Sequence, residues 1–158
     1  MVCLIQIMKC NLYSITKPND EWQTLISHYQ KQCKQFGATL IIEDIMNNDI
    51  INAHKISQKH AQRSYTKALL PHLNADINIS LDIAGKMENT FAFAELLKNH
   101  NKINFFIGGA YGFEEEFLKK TTSISLSLLT FSHKIAKIVL CEQIYRALSI
   151  IHNHPYHK

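Results

Sequence analysis

The residues of this chain able to do chemistry gather at three junctions and a tail. Leu81-Asp82-Ile83-Ala84-Gly85-Lys86, Ile107-Gly108-Gly109-Ala110-Tyr111-Gly112 and Leu126-Ser127-Leu128-Leu129-Thr130-Phe131 sit where strand-like patterns give way to other segments. Open α/β sheets bind ligands beyond the carboxyl ends of their strands, so these junctions are where a pocket is expected. Glycines at 85, 108, 109 and 112 let backbone approach a ligand closely or take positive φ. Groups suited to proton transfer or anion contact follow: His133, Lys137, Glu142, Arg146, and a terminal His154-Pro155-Tyr156-His157-Lys158. The glycine pattern is not the G-x-G-x-x-G of dinucleotide sites, and no acidic residue stands about 20 positions later. A G-x-x-x-x-G-K-[ST] loop is absent too, so nothing points to ATP or NAD.

At 158 residues the chain fits one domain, residues 1–158, with a sizeable core. Its 46% hydrophobic and 19% charged composition excludes a disordered chain, and no apolar run approaches the roughly 20 residues of a membrane span. The N-terminal apolar run lacks a charged segment ahead of it, which favours a cytoplasmic protein over a secreted one. Cys3, Cys10, Cys33 and Cys141 are scattered, as expected of reduced core residues rather than a disulfide framework or metal site. His152, His154 and His157 lack the Cys or carboxylate that would complete zinc-like spacing. The net charge of +4 favours anionic partners modestly.

The positioning elements follow from hydrophobic period. Residues 2–8 read as a buried strand, 22–36 as a helix closed by Gly37, and 38–42 as a second strand. Strand, helix, strand is the βαβ signature of a parallel sheet. Residues 44–52, rich in Asn, read as a surface loop, and 53–70 as a helix stopped by Pro71. Lys55, Lys59, Arg63 and Lys67 follow one stripe of that helix, either a solvated face or a phosphate-contacting one. A strand is expected over 76–83, ending where Gly85 supplies positive φ. Asn89 or Thr90 caps a helix, 102–107 is another buried strand, and Glu114, Glu115 and Glu116 suit a helix N-terminus. The alternation over 123–131 reads as a strand, with Ser132 capping a long last helix. That helix carries two apolar stripes, one for the core and one for a partner subunit.

These motifs, in this order and over essentially the whole chain, resemble one bacterial family. The match is strongest in Ile107 to Gly112, Ser125 to His133, Glu142-Gln143-Ile144-Tyr145-Arg146-Ala147 and the tail. The family methylates N3 of a pseudouridine in helix 69 of 23S ribosomal RNA and belongs to the SPOUT class. The resemblance implies an α/β parallel-sheet fold with a C-terminal trefoil knot, a homodimer, and S-adenosylmethionine as methyl donor. It carries donor binding onto Leu81, Gly108, Leu126, Ser127, Leu128, Leu129, Thr130 and Phe131. His133, Arg146, Tyr156 and His157 become catalytic candidates, Lys137 and Lys158 RNA contacts, and the tail a lid over a site of the partner subunit. The substrate implied is 23S RNA within the ribosome, with no metal and no membrane. Another RNA target, or a silent RNA-binding module, is the alternative. Ala110 and Ser132 replace prolines common in the family, and Lys137 a common Arg.

Overall fold

The computed structural model describes residues 7–158, so Cys3 and most of the strand expected over 2–8 lie outside the described residues. The first described strand, β1, runs Met8–Ile15. Its polar residues do not break it, and the Asn11 side-chain amide donates across the sheet to Asn104 Oδ1 at 2.8 Å. Helix α1 (Gln23–Lys34) and strand β2 (Ala38–Ile45) follow, with Gly37 turning the chain at φ 71°.

Residues 44–52 are not a loop. Strand β2 continues to Ile45 and helix α2 (Asn48–His54) begins soon after, capped by Asn47, whose side chain accepts the Ile50 N–H at 2.9 Å. The helix expected over 53–70 is interrupted, and Ser57 caps a new helix, α3 (Gln58–Leu69), by accepting the His60 N–H at 3.1 Å. A 3-10 turn at Leu70–His72 holds Pro71. Then come β3 (Ile77–Met87), α4 (Thr90–Leu97), β4 (Lys102–Ile107), α5 (Glu115–Leu118), β5 (Thr122–Ser125) and α6 (His133–Ile151). Only the first residues of the strand expected over 123–131 pair with a neighbour; the rest is loop.

The five strands form one sheet in the order β2-β1-β4-β3-β5, and every pairing is parallel. Alternating side chains enter opposite cores. Leu12 and Phe105 join Cys33, Phe93, Leu97, Leu140 and Ile144 beneath α1, α4 and α6. Tyr13, Ile15 and Phe106 join Ile50, Tyr65, Leu69 and Phe117 beneath α2, α3 and α5. The connection leaving β4 therefore goes to one face, while those leaving its neighbours β1 and β3 go to the other. Such a reversal opens a crevice at the carboxyl ends of the strands.

Helix α6 lies between α1 and α4 on the sheet. Cys141, Tyr145 and Leu148 of one stripe and Leu140, Ile144 and Ala147 of the other are all buried within the chain. The second stripe is thus covered by the chain's own helices, not left for a partner. No helix among the described residues is long and apolar enough to cross a membrane.

Strand β3 is distorted where it meets β5: Leu81 and Lys86 both register against Ile124, so the residues between them bulge. Gly85 closes this bulge without positive φ; the positive-φ glycines are Gly37 and Gly112. Its constraint is close approach, since a Cβ there would stand 2.7 Å from the Ile124 carbonyl carbon and 2.8 Å from Ile124 N. Backbone cannot step aside as a side chain can. Gly85→Ala should cost about 1–3 kcal/mol, the usual scale of overpacking, and lower the melting temperature by several degrees in calorimetry. An unchanged melting temperature would show that the two strands separate freely.

Candidate functional site

The crevice at the end of β4 is a cavity of about 530 Å³, within the usual size range of small-molecule sites. Its walls are the β3 bulge at Leu81, Asp82 and Ile83, the glycine loop at residues 107–113, the loop after β5, and the first turn of α6. Gly112 takes φ 69° and its N–H closes a turn onto the Gly109 carbonyl at 3.1 Å. Gly109 itself has no space for a side chain: a Cβ would lie 2.6 Å from Tyr65 Cζ.

Local hydrogen bonds shape the loop after β5. Ser125 Oγ donates to the Ser127 carbonyl at 2.8 Å, and Ser127 Oγ accepts the Leu129 N–H at 3.0 Å. These side-chain bonds offer the backbone an alternative to the ladder, which is why the alternating pattern stops being a strand. Ser132 then caps α6, accepting the Ile135 N–H at 3.3 Å. It thereby secures by hydrogen bonding a helix start that proline would secure by fixed φ.

Of the expected donor-binding residues, Leu81, Gly108, Leu126, Ser127, Leu129, Thr130 and Phe131 line this cavity. Leu128 does not; the residue is 80% exposed. His133 lines it as well, at the open end of α6. The His133 Nε2 lies 3.0 Å from Thr16 Oγ1, tying the helix to the end of β1. Burial, then Lys137 and Lys134, push the imidazole pKa below its ordinary value, against a smaller pull from Asp44.

Lys137 stands differently from the phosphate contact expected of it. Its side chain is buried and ion-paired with Asp44 of β2, so this geometry makes it a tie between α6 and the sheet. Lys67 pairs with Asp49 at 3.3 Å on an exposed surface, a contact worth little in stability. Lys59 and Arg63 face Glu114, Glu115 and Glu116 across a shallow groove, which offsets their charge toward a phosphate.

Arg146, Tyr156 and His157 form a second cluster at the other end of α6. Glu142 Oε1 accepts from Arg146 Nε at 3.0 Å, Arg146 Nη2 at 2.6 Å and the Tyr156 hydroxyl at 3.0 Å. The guanidinium lies 4.7 Å from the Tyr156 ring centroid and 3.1 Å, through Nη1, from His157 Nδ1. Tyr156 rests on Tyr145, and His157 meets Phe91 edge-on at 5.0 Å. Hydrogen bonding to Glu142 holds Arg146 firmly protonated, above its ordinary pKa. The tail is therefore docked, with Lys158 exposed at its end. Thirteen helical steps separate His133 from Arg146, roughly 20 Å at 1.5 Å per residue, so the tail is remote from its own chain's cavity.

Sequence reasoning missed Thr16, Asp44, and Tyr65 behind Gly109. Thr16 and Asp44 follow or end strands, a position that marks pocket residues in parallel sheets; Tyr65 carried no signal apart from its place within a helical pattern. Among the described residues, no three or more His, Cys, Asp or Glu side chains converge as a metal site. Because its folded pKa is depressed, His133 stays neutral while an unfolded chain takes up a proton, so its contribution to stability falls as pH drops below about 6.5. NMR titration should place His133 below the ordinary histidine value, and Lys137→Met should raise it by removing a repelling cation and freeing Asp44. A wild-type value at or above the ordinary one would contradict this electrostatic account.

Comparison with known proteins converges on one group. The family model described as "Predicted SPOUT methyltransferase" matches residues 8–157. Ribosomal RNA large subunit methyltransferase H of Helicobacter acinonychis (strain Sheeba) is 55% identical over 152 residues, covering 96% of this chain and 100% of that protein. The protein of the same name from Helicobacter hepaticus (strain ATCC 51449 / 3B1) is 48% identical over 153 residues, with the same coverage. Among solved structures, tRNA (m1G37) methyltransferase from Aquifex aeolicus superposes with a TM-score of 0.56 at 15% identity, over 96% of this chain and 75% of that one. The likeness to the Aquifex aeolicus structure is one of fold. The family match and the full-length identity go further: this chain belongs to the SPOUT methyltransferase family.

Proposed function

We propose that the chain methylates N3 of a pseudouridine in helix 69 of 23S ribosomal RNA, on the assembled ribosome in the cytoplasm, using S-adenosylmethionine. Support for the ribosomal RNA substrate comes from relatives about half identical to this chain over their full length, named ribosomal RNA large subunit methyltransferase H. The observation that carries the donor reading is the cavity walled by the glycine loop and residues 125–131. Its residues suit such a molecule: Leu81, Leu126, Leu129 and Phe131 offer apolar surface to a purine, while Gly108 exposes backbone polar groups. The loop backbone at Leu128 belongs to the same wall in this reading. S-adenosylmethionine supplies an electrophilic methyl on a sulfonium, so the protein's task is orientation and removal of one proton from N3.

His133 is the group we assign to that proton. It stands on the cavity wall, burial and two lysines favour its neutral form, and Thr16 holds one ring nitrogen. Arg146, Tyr156, His157 and Lys158 act on the RNA from the tail, by charge and stacking. Lys137 serves this site by anchoring α6 through Asp44 rather than by touching phosphate.

A homodimer follows in this reading from the spacing of the two clusters: the tail is docked far from its own cavity and so completes that of a second copy. Exposed apolar side chains around the cavity mouth and the start of α4 and α6, including Ile83, Met87, Phe91 and Ile135, supply a surface for the second copy. The trefoil knot of the C-terminal segment belongs to the same proposal. Mass spectrometry of ribosomal RNA tests the function. Cells lacking this chain should lose the methyl group at that pseudouridine, and purified protein with S-adenosylmethionine should restore it on their ribosomes. Methylation unchanged by the deletion would overturn the substrate.

A further inference from the structure

The back of the glycine loop is as constrained as its cavity side. Tyr65 of α3 is wholly buried and lies on the sheet face opposite α6. A Cβ on Gly109 would meet its ring at 2.6 Å and its hydroxyl oxygen at 2.7 Å, with Ile15 Cγ2 at 3.0 Å. Ring and loop backbone are therefore in contact, without room for one methyl. The same hydroxyl stands 2.6 Å from His54 Nε2, at the last turn of α2. Burial pushes the phenol pKa up while the Tyr111 backbone pulls it partly back, so the group keeps its proton and shares one hydrogen bond with the His54 ring.

The loop's next residues are held from the same side. The His54 ring lies 5.4 Å from that of Tyr111, tilted by 52°, and Gln62 Nε2 of α3 donates to the Tyr111 carbonyl at 2.8 Å. The interruption between α2 and α3 thus has a consequence at the cavity: it brings a residue of each helix against one loop. Phenylalanine would fill the same apolar space with no hydroxyl to satisfy, whereas Tyr65 brings a hydroxyl that His54 meets.

We propose that Tyr65, anchored by His54, is a positioning residue for the methyl-donor cavity, setting the Gly109 backbone from behind. This rests on the donor reading above. Tyr65 touches no reactant; it fixes where the loop polar groups point, and preorganised groups bind without reordering.

Calorimetric titration with S-adenosylmethionine, beside thermal melting, tests the proposal. Tyr65→Phe keeps the ring and removes the anchor, and His54→Ala removes the partner. Each should weaken donor binding about threefold to tenfold, the scale of one lost hydrogen bond, with melting temperatures within a few degrees of wild type. His54→Gln, which returns a polar partner, should recover affinity toward wild type. Gly109→Ala should weaken binding more than either. Wild-type affinity in both Tyr65→Phe and His54→Ala would overturn the positioning role, as would affinity falling only in step with melting temperature and without rescue by His54→Gln. A wild-type chain that binds no S-adenosylmethionine would overturn the donor reading itself, and this proposal with it.

Discussion

A helix cannot be shortened, and α6 holds the two candidate clusters of this chain apart. His133 opens it at the cavity, and Arg146 stands near its other end with the tail folded against it. The helix is fixed at its N-terminal end. Ser132 caps it, Thr16 holds His133 to β1, and the buried Lys137–Asp44 pair ties its second turn to β2. Removing one member of that pair would leave the other charge unmatched in a poorly solvated site, a larger penalty than any net gain from the pair. Between the ends, α1 and α4 clamp the helix on the sheet. The separation of the clusters is thus built in, and the reading of a composite site between two copies depends on it.

The cavity is set by close approach more than by chemistry. Gly85 lets β3 and β5 converge against Ile124, and Gly109 lets the loop after β4 lie on Tyr65. In both places the glycine answers a lack of space, not a need for positive φ. Together they seat two cavity walls, the β3 bulge and the glycine loop, directly on the backbone and ring behind them. Such a site reads shape and hydrogen bonding, as the proposed methyl donor requires.

Much of this was legible beforehand because the strands of a parallel sheet bury both faces and read as apolar runs. Residues 102–107 stood out on that ground, the start of β3 by its alternation of apolar and polar residues, and the helix following Ser132 by its apolar stripes. The misreadings have local causes. Strand β1 continues to Ile15, past the expected bounds, because Lys9, Asn11 and Ser14 conceal a strand that Asn104 helps to hold. Residues 44–52 are rich in Asn, and one of them, Asn47, proves to be a helix cap. Ser127 diverts the alternating segment after Ser125 into a turn. The glycine loop and the loop after β5 could be named from sequence, but Tyr65, Thr16 and Asp44 reach the site only through tertiary packing. The two stripes of α6 were visible, as were α1 and α4, but not that these helices pack over both stripes.

Subunit mixing tests the composite site most directly. One chain would carry His133→Ala with an intact tail; the other would keep His133 but end before Pro155. Each alone should bind S-adenosylmethionine yet fail to methylate ribosomal RNA. Co-expressed, they should regain methyl transfer, because an intact cavity on one subunit then meets an intact tail on the other. Mixed dimers that remain inactive, or a truncated chain as active as wild type, would contradict the account.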